Sequence, residues 1–352
     1  ACATPRGAGF RQEVLAASGE TTTDGEPIYD FSVFEVTRDA LPTIAAWPET
    51  GTERYNWITR QRQSASLIIA PGDTLKVTIW DAEENSLLTS LGQRAAQLQD
   101  LLVSSSGRIF LPFVGEMKVS GMSPDTARQR IEERLIATVP SAQVQLSAAP
   151  GRGNTANLVS GVRAPGVYPL VDQDMTILNL ISVGGGPQVD LKNPQVRLMR
   201  GNEIYGTSLK RLFENPSLDT TLRGGDRVIL ESDEGYFLSL GAAGREAVLP
   251  FLTDEVTALD ALATIGGISD TRANPQGILI LREYETSAVR AGGPPMQRVI
   301  FTVDLTTADG LFSAGKFKIM SGDLVYVTES PIGAARTIFG IFGSVISLSN
   351  QL

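Results

Sequence analysis

The chain contains 352 residues with a formal net charge of −9, 42% hydrophobic residues, one cysteine and no histidine. This hydrophobic content supports several small packed domains, and the acidic balance argues against nucleic acid as a partner, because phosphate binding needs clustered Lys and Arg. The lack of histidine removes His-based acid–base catalysis and most zinc sites, and a single cysteine forms no intrachain disulfide. We therefore predict no catalytic residue, no cofactor and no metal site.

The single cysteine, Cys2, lies beside the N-terminus and follows the small residue Ala1. A small residue followed by Cys is typical of the end of a bacterial lipobox, where the cysteine is acylated after signal-peptide cleavage. A processed lipoprotein begins at its cysteine, whereas Ala1 precedes Cys2 here, so a cloning remnant or a plain exposed cysteine stays an alternative. We predict lipidation at Cys2.

The N-terminal residues are predicted to form a tether followed by an arm. Residues 1–26 are poor in bulky apolar side chains, which is typical of a flexible tether. The run from Tyr29 to Val36 is strand-like. The stretch through Trp47 and Trp57 is predicted to pack either on the body of the protein or on a neighbouring subunit.

From Leu67 onward the pattern of apolar residues becomes regular. The tripeptide Pro71-Gly72-Asp73 predicts a turn, because Gly accepts positive φ and Asp bonds its own backbone. The alternation that follows it predicts a half-buried strand. A helix is predicted to begin after Ser123, a good N-cap that precedes a proline. The other elements predicted here are a helix near Leu87–Leu102, a strand over Ile109–Val114, the end of the second helix at Leu135, and a closing strand at Val144 and Leu146.

An internal repeat occupies the second half of the chain, and such tandem self-similarity is hard to obtain by chance. Each unit predicts strand, strand, helix, Gly turn, strand and strand, which makes a small α+β module. The second unit carries an insertion that we assign to the loop around Gly292–Pro295. The matched residues are Pro169 with Pro250, Thr176 with Thr257, Leu178 with Leu259, Gly185-Gly186 with Gly266-Gly267, Asn193-Pro194-Gln195 with Asn274-Pro275-Gln276, Leu198 with Leu279, and Gly225-Asp226 with Gly322-Asp323.

Two motifs invite a chemical interpretation. The run Gly184-Gly185-Gly186 suggests a phosphate cradle, but it follows the predicted helix Thr176–Val183 instead of opening one, so a helix C-terminal stop is favoured. The acidic clusters Asp81-Glu83-Glu84 and Asp254-Glu255 suggest a carboxylate pair, but a solvated face or a charge at a helix N-terminus is favoured.

The C-terminal segment is predicted to form an amphipathic helix. No residue from Thr337 to Leu352 is charged, and a helical wheel divides the segment into two halves. On one half lie Ile338, Ile341, Phe342 and Val345, with Phe339, Ile346 and Leu348. On the other half lie Arg336, Gly340, Gly343, Ser344 and Ser347, with Thr337 and Asn350.

This helix is open to two interpretations. It docks on the soluble core, or several copies line a pore in which the apolar half faces lipid and the small polar half faces the lumen or the adjacent helix. A membrane-surface helix normally carries Lys or Arg on its polar face, and the segment is short for a bilayer core of about 30 Å.

These motifs, taken in order, resemble the Wza-type family of outer-membrane polysaccharide export proteins, over roughly residues 67–352. The leading motif matches a polysaccharide export domain, and the later motifs match tandem β-grasp-like domains of the soluble-ligand-binding type, abbreviated SLBB. The motifs are Ala70-Pro71-Gly72-Asp73-Thr74-Leu75-Lys76-Val77, Gly107-Arg108-Ile109, Leu111-Pro112, Gly115, Gly121 with Ser123-Pro124, Val159-Ser160-Gly161-Val162, Ala164-Pro165-Gly166-Val167-Tyr168, Thr176-Ile177-Leu178 and Gly184-Gly185-Gly186.

The resemblance implies an α+β, multidomain chain with a small β-rich export domain, tandem β-grasp-like domains and a C-terminal amphipathic transmembrane helix. It implies an octameric ring, anchored in the bacterial outer membrane by its lipid and helix, with most of the chain in the periplasm. It also implies a passive conduit for capsular polysaccharide or exopolysaccharide, coupled to an inner-membrane polysaccharide co-polymerase.

The predicted domain order follows from these motifs. A periplasmic glycan- or ligand-binding module without its own pore is the competing function, and a glycan-processing enzyme is a third. The predicted domains are residues 1–66 as lipid-anchored tether and arm, 67–150 as export domain, 156–232 and 237–329 as the first and second SLBB domains, and 331–352 as the C-terminal helix.

Overall fold

A computed structural model describes residues 7–16, 29–51, 55–60, 67–81, 95–171 and 174–331. The chain divides into two compact units, which we call the central unit (Arg54–Ser232) and the terminal unit (Ala1–Glu53 with Asp233–Leu352). Both mix helices with sheets, so the predicted multidomain α+β class is confirmed. The predicted C-terminal helix and Cys2 lie outside the described residues.

The N-terminal part of the chain contributes short elements to the terminal unit. They are α1 (Arg11–Val14), β1 (Ser32–Glu35) and α2 (Leu41–Ala45).

The central unit begins with a leading domain in which a helix packs on a small sheet. Strand order is β3-β2-β6 with a separate β4-β5 hairpin, and Leu75, Val77 and Ile79 point into a core shared with the helix. The Ser123 side chain accepts the Thr126 N–H at 3.2 Å, which confirms the predicted helix start. The elements are β2 (Thr74–Trp80), β3 (Ala95–Leu102), β4 (Arg108–Leu111), β5 (Gly115–Lys118), α3 (Pro124–Ile136) and β6 (Gln143–Ala149).

The predicted helix near Leu87–Leu102 is wrong where the structure describes it. Residues Ala95–Leu102 form β3, which runs antiparallel to β2. Strand β2 is bonded to β6 on its other side, and its remaining backbone N–H and C=O groups are paired only if a strand lies beside them. The long-range pairing therefore overrides a local sequence that favours helix.

The rest of the central unit is the first module, a sheet of order β10-β9-β11-β7-β8 with α4 packed on it. The Thr176 side chain accepts the Asn179 N–H, so the helix begins where the sequence predicts. The elements are β7 (Thr155–Ser160), β8 (Gly166–Pro169), α4 (Ile177–Val183), β9 (Gln195–Arg200), β10 (Glu203–Ser208), α5 (Leu209–Glu214) and β11 (Arg227–Glu231).

The second module forms most of the terminal unit and repeats this layout. Its sheet has the order β1-β16-β15-β18-β12-β13, so the N-terminal strand β1 extends the repeat by one strand. The elements are β12 (Tyr236–Gly241), β13 (Ala247–Pro250), β14 (Val256–Thr257), α6 (Ala258–Thr264), β15 (Ala273–Glu283), β16 (Arg298–Val303), α7 (Ala308–Ala314), β17 (Lys318–Ile319) and β18 (Leu324–Glu329).

The two modules differ where the sequence predicts an insertion. In the first module, β9 and β10 are joined by a tight turn at Gly201, which has φ of +61°. In the second module, β15 and β16 are joined by residues 284–297, which include Gly292–Pro295. Helices α5 and α7 after the hairpins were not predicted. Each is capped by a side chain, Ser208 or Thr307, that accepts the N–H three residues on.

Candidate functional site

A Gly-Asp turn precedes the strands β2, β11 and β18 and has the same geometry each time. Gly72, Gly225 and Gly322 have φ of +88°, +88° and +91°, which glycine adopts at no steric cost. The aspartate that follows is buried and accepts the N–H of the residue three positions earlier, at 2.8 Å in every case. The sequence-predicted turn is therefore confirmed. The aspartates are Asp73, Asp226 and Asp323.

The partner of the buried carboxylate differs between the leading domain and the modules. Asp73 accepts the Gly151 N–H and the Asn154 side-chain amide, both at 2.7 Å. In the modules the partner is an arginine, Arg200 for Asp226 and Arg282 for Asp323. Burying a carboxylate costs free energy unless it is paired and hydrogen-bonded. In each turn the partners of the aspartate offset this cost.

The two arginines occupy equivalent positions in the repeat. Arg200 Nη2 donates to the Thr221 carbonyl as well as to Asp226, and Arg282 Nη2 donates to the Lys318 carbonyl as well as to Asp323. Both lie near the end of the strand beside the Gly-Asp strand. Neither arginine was predicted from the sequence, although a lone Arg after the apolar run 278–281 indicates a buried ion pair.

The environment of Arg282 favours its charged form. The guanidinium lies 5.0 Å from the Phe301 ring centroid and 5.2 Å from that of Phe317. Burial alone would lower the pKa of Arg282, but the Asp323 carboxylate outweighs burial and raises that pKa above its ordinary value. Burial also raises the pKa of Tyr284. Arg282 and Asp323 thus form a buried ion pair that joins β15 to the turn before β18.

Two segments of the N-terminal arm occupy the corresponding edges of the two modules. In the terminal unit, β1 pairs in parallel with β16 from Ser32↔Val299 to Glu35↔Thr302. Trp47 follows it into the core and contacts the rings of Phe34, Tyr284 and Phe301. The predicted packing of this stretch on the body is confirmed for the second module.

In the central unit, residues 55–60 lie against β10, the strand equivalent to β16. The Gly206 N–H donates to the Asn56 carbonyl at 3.3 Å. The Tyr55 ring lies 4.1 Å from the Arg197 guanidinium carbon, and Trp57 Nε1 donates to the Leu218 carbonyl at 2.7 Å. An extended segment that adds to a sheet edge gains main-chain bonds and protects that edge. Each module is therefore completed by a piece of the arm.

The motifs weighed in the sequence analysis prove structural where they are described. Gly185 and Gly186 have φ of +82° and +79° just after α4, which confirms a helix stop. Asp81 is buried and accepts from Ser141, so a solvated face is wrong for it. The exposed Glu255 pairs with Lys318. Within the described ranges no group of three or more Cys, Asp or Glu side chains is placed to hold a metal ion.

The predicted site residues lie outside the described residues. Among the helices that the structure describes, none combines the length and apolar character that a membrane crossing requires. The residues concerned are Cys2, Arg336, Ile338, Gly340, Ile341, Phe342, Gly343, Ser344, Val345 and Ser347.

Comparison with known proteins agrees with the resemblance seen in the motifs. Residues 61–148, which include the leading domain, match the family model for polysaccharide biosynthesis/export proteins. The chain is 27% identical to the capsule polysaccharide export protein BexD of Haemophilus influenzae, over 80% of this chain and 77% of that protein. It is 29% identical to the capsule polysaccharide export outer membrane protein CtrA of Neisseria meningitidis serogroup A, over the same shares.

A relative from another genus extends the similarity to exopolysaccharide systems. The chain is 26% identical to the EPS I polysaccharide export outer membrane protein EpsA of Ralstonia solanacearum, over 74% of this chain and 70% of that protein. Three findings agree with one another: the match of the leading domain to the family model, the tandem modules that follow it in the chain, and the similarity to these relatives. The resemblance of this chain to the Wza-type family of outer-membrane polysaccharide export proteins is therefore confirmed.

Proposed function

We propose that this chain is the subunit of a ring-shaped outer-membrane conduit that exports capsular polysaccharide or exopolysaccharide. Its location is the outer membrane, with the bulk of the chain in the periplasm, and its role is transport and not catalysis. The observation that carries the proposal is the similarity to capsule and EPS I polysaccharide export proteins over 74–80% of this chain, which is far more than the leading domain alone.

The duplicated modules support contacts between copies. Val159 and Leu240 hold equivalent positions in β7 and β12, and Val167 and Val248 hold equivalent positions in β8 and β13. All four side chains are exposed. The same exposed apolar patch therefore occurs twice along the chain, which suits a ring in which each copy meets its neighbour through both modules. An octamer is the subunit number that we propose.

The chain ends are proposed to provide the membrane attachment. Cys2 carries the lipid, and residues 331–352 of each copy form one helix of a pore. In that helix Arg336, Gly340, Gly343, Ser344 and Ser347 face the lumen or the adjacent helix. Ile338, Ile341, Phe342 and Val345 face lipid. An inner-membrane co-polymerase delivers the polymer to the periplasmic side of the ring.

Deletion of the gene, followed by complementation, tests the export function. We expect the deletion strain to lose cell-surface polysaccharide and to regain it with the intact chain. Electron microscopy of the detergent-purified protein should show closed rings. Unchanged surface polysaccharide in the deletion strain would refute the export function, and a uniform monomer in mild detergent would refute the ring.

Labelling of substituted cysteines tests the pore helix. The protein used is a variant in which Cys2 does not react, so that the substituted cysteine is the reactive thiol. A water-soluble thiol reagent should label positions 340, 344 and 347 and spare 341, 342 and 345. A charge at Val345 should cost about 2–3 kcal/mol per copy in lipid, whereas the same charge at Ser344 should leave assembly intact and alter export. Equal labelling of both faces, or normal export without residues 336–352, would exclude this helix as the channel wall.

A further inference from the structure

A groove of about 550 Å³ lies in the terminal unit, between the arm and helix α7. This volume falls in the range of small-molecule sites. The arm supplies one wall and α7, with the residue after it, supplies the other. The lining residues are Arg38, Leu41, Pro42, Phe312, Ser313 and Lys316.

The lining of the groove combines an exposed aromatic ring with positively charged side chains. Phe312 is 69% exposed, so its ring is available to an apolar ligand face instead of the core. Arg38 and Lys316 are exposed on either side of the groove. A sugar ring presents C–H groups to an aromatic face, and a sugar carboxylate or phosphate pairs with Arg or Lys. The groove therefore matches the chemistry of an acidic sugar.

Arg38 contacts helix α7 through its backbone and through its side chain. The backbone N–H of Arg38 donates to Asp309 Oδ2 at 3.3 Å, and the side-chain Nε of Arg38 lies 3.6 Å from Asp309 Oδ1. The backbone bond joins the arm to α7, and the guanidinium pairs with Asp309 through Nε, which leaves the Nη donors of Arg38 to bind a ligand. Lys316 makes no ion pair with any residue in the described part of the chain.

We propose that this groove binds acidic sugar residues of the polysaccharide, so that the conduit contacts a carboxylate- or phosphate-bearing polymer in the periplasm. The proposal rests on the proposed export function and specifies its substrate class. Exposed charges bind weakly one at a time, but a ring presents one groove per subunit to a repeating polymer. The combined sites then act through multivalency.

Saturation-transfer NMR on the full-length protein in mild detergent tests the groove, with oligogalacturonate as the acidic probe and maltohexaose as the neutral probe. We expect oligogalacturonate to bind and to be displaced by salt, since charge pairing is screened. Lys316→Glu should weaken it at least about tenfold, which corresponds to about 1.4 kcal/mol, and Phe312→Ala should weaken it as well. Equal binding of maltohexaose, or unchanged binding in both variants, would overturn the proposal.

The equivalent helix in the first module provides the matched control. Phe213 lies at the same distance from its cap Ser208 as Phe312 does from Thr307, and it is also exposed. Phe213→Ala should leave oligogalacturonate binding unchanged. A Phe312→Ala protein that no longer assembles into the oligomeric ring but still binds oligogalacturonate would show that the groove is a contact between copies. That result would overturn the proposal. Loss of surface polysaccharide in the gene deletion tests export separately, so the two ideas fail independently.

Discussion

Arg282 in β15 donates two parallel hydrogen bonds to Asp323 in the turn before β18, from Nε to Oδ1 at 2.9 Å and from Nη2 to Oδ2 at 2.7 Å. The side chains are 2% and 1% exposed, whereas Arg200 in the equivalent pair of the first module is 13% exposed. The pairs thus offer the same geometry at two depths of burial. The cost of leaving one partner alone should rise with that depth.

Asp323→Ala should destabilise the terminal unit by about 3–5 kcal/mol, because it leaves the Arg282 charge buried and unpaired. The matched change Asp226→Ala should cost less, since water reaches Arg200 more easily. Denaturant unfolding followed by hydrogen exchange in each unit would measure both. The double variant Arg282→Met with Asp323→Leu should recover part of the loss, and equal losses for the two single variants would contradict the dependence on burial.

Asp73→Ala should loosen the leading domain. Its carboxylate accepts the N–H groups of Ala70 and Gly151 and the Asn154 amide, and hydrogen bonds to a charged group contribute about 1.5–3 kcal/mol each. Asn154→Ala removes a single donor and should cost less. Hydrogen-exchange protection of β2 and β6 would report the change. An unaltered exchange pattern in the Asp73 variant would exclude a fastening role for this turn.

The Thr257 cap should make part of the second module's stability depend on pH. Thr257 lowers the pKa of Asp260 below 3.8, first through its side chain and then through its backbone N–H. A lowered folded-state pKa gives stability that is present above the unfolded value and is lost as pH falls through the folded value. Thr257→Val should therefore raise the Asp260 pKa toward 3.8, as read by NMR titration.

The control for this change is Thr176→Val in the first module. Thr176 caps α4 in the same way, but the third helical residue there is Asn179, which does not titrate. Both variants should lose about 1 kcal/mol for the missing cap. A pH-dependent part of the loss near pH 3.8 is expected for Thr257→Val alone, and its appearance in both variants would point to another group.

Trp47→Ala should release the arm from the second module. The indole is buried and contacts the rings of Phe34, Tyr284 and Phe301, and truncation of a buried Trp costs about 3–5 kcal/mol. Limited proteolysis should then cut near β1 sooner than in the parent protein. Trp57→Ala affects the half-buried segment on the first module and should leave β1 protected. Equal cleavage near β1 in both variants would contradict separate docking sites.

The local signals in the sequence determined much of this protein. The caps Ser123, Thr176 and Thr257 set the starts of α3, α4 and α6, and the Gly-Asp dipeptides set the turns before β2, β11 and β18. Each of these depends on residues within about four positions of one another, so the printed order of residues contains the whole interaction. The tandem repeat is visible for the same reason.

The tertiary structure decided what depends on distant partners. Residues Ala95–Leu102 form a strand because they pair with the edge of β2 that β6 does not cover. Strand β1 pairs with β16, which lies more than 260 residues later in the chain. Arg282 is an isolated polar residue in an apolar run until Asp323 is placed opposite it. Strand register and the pairing of buried charges are set by the free energy of contacts far apart in sequence, and local patterns do not contain that information.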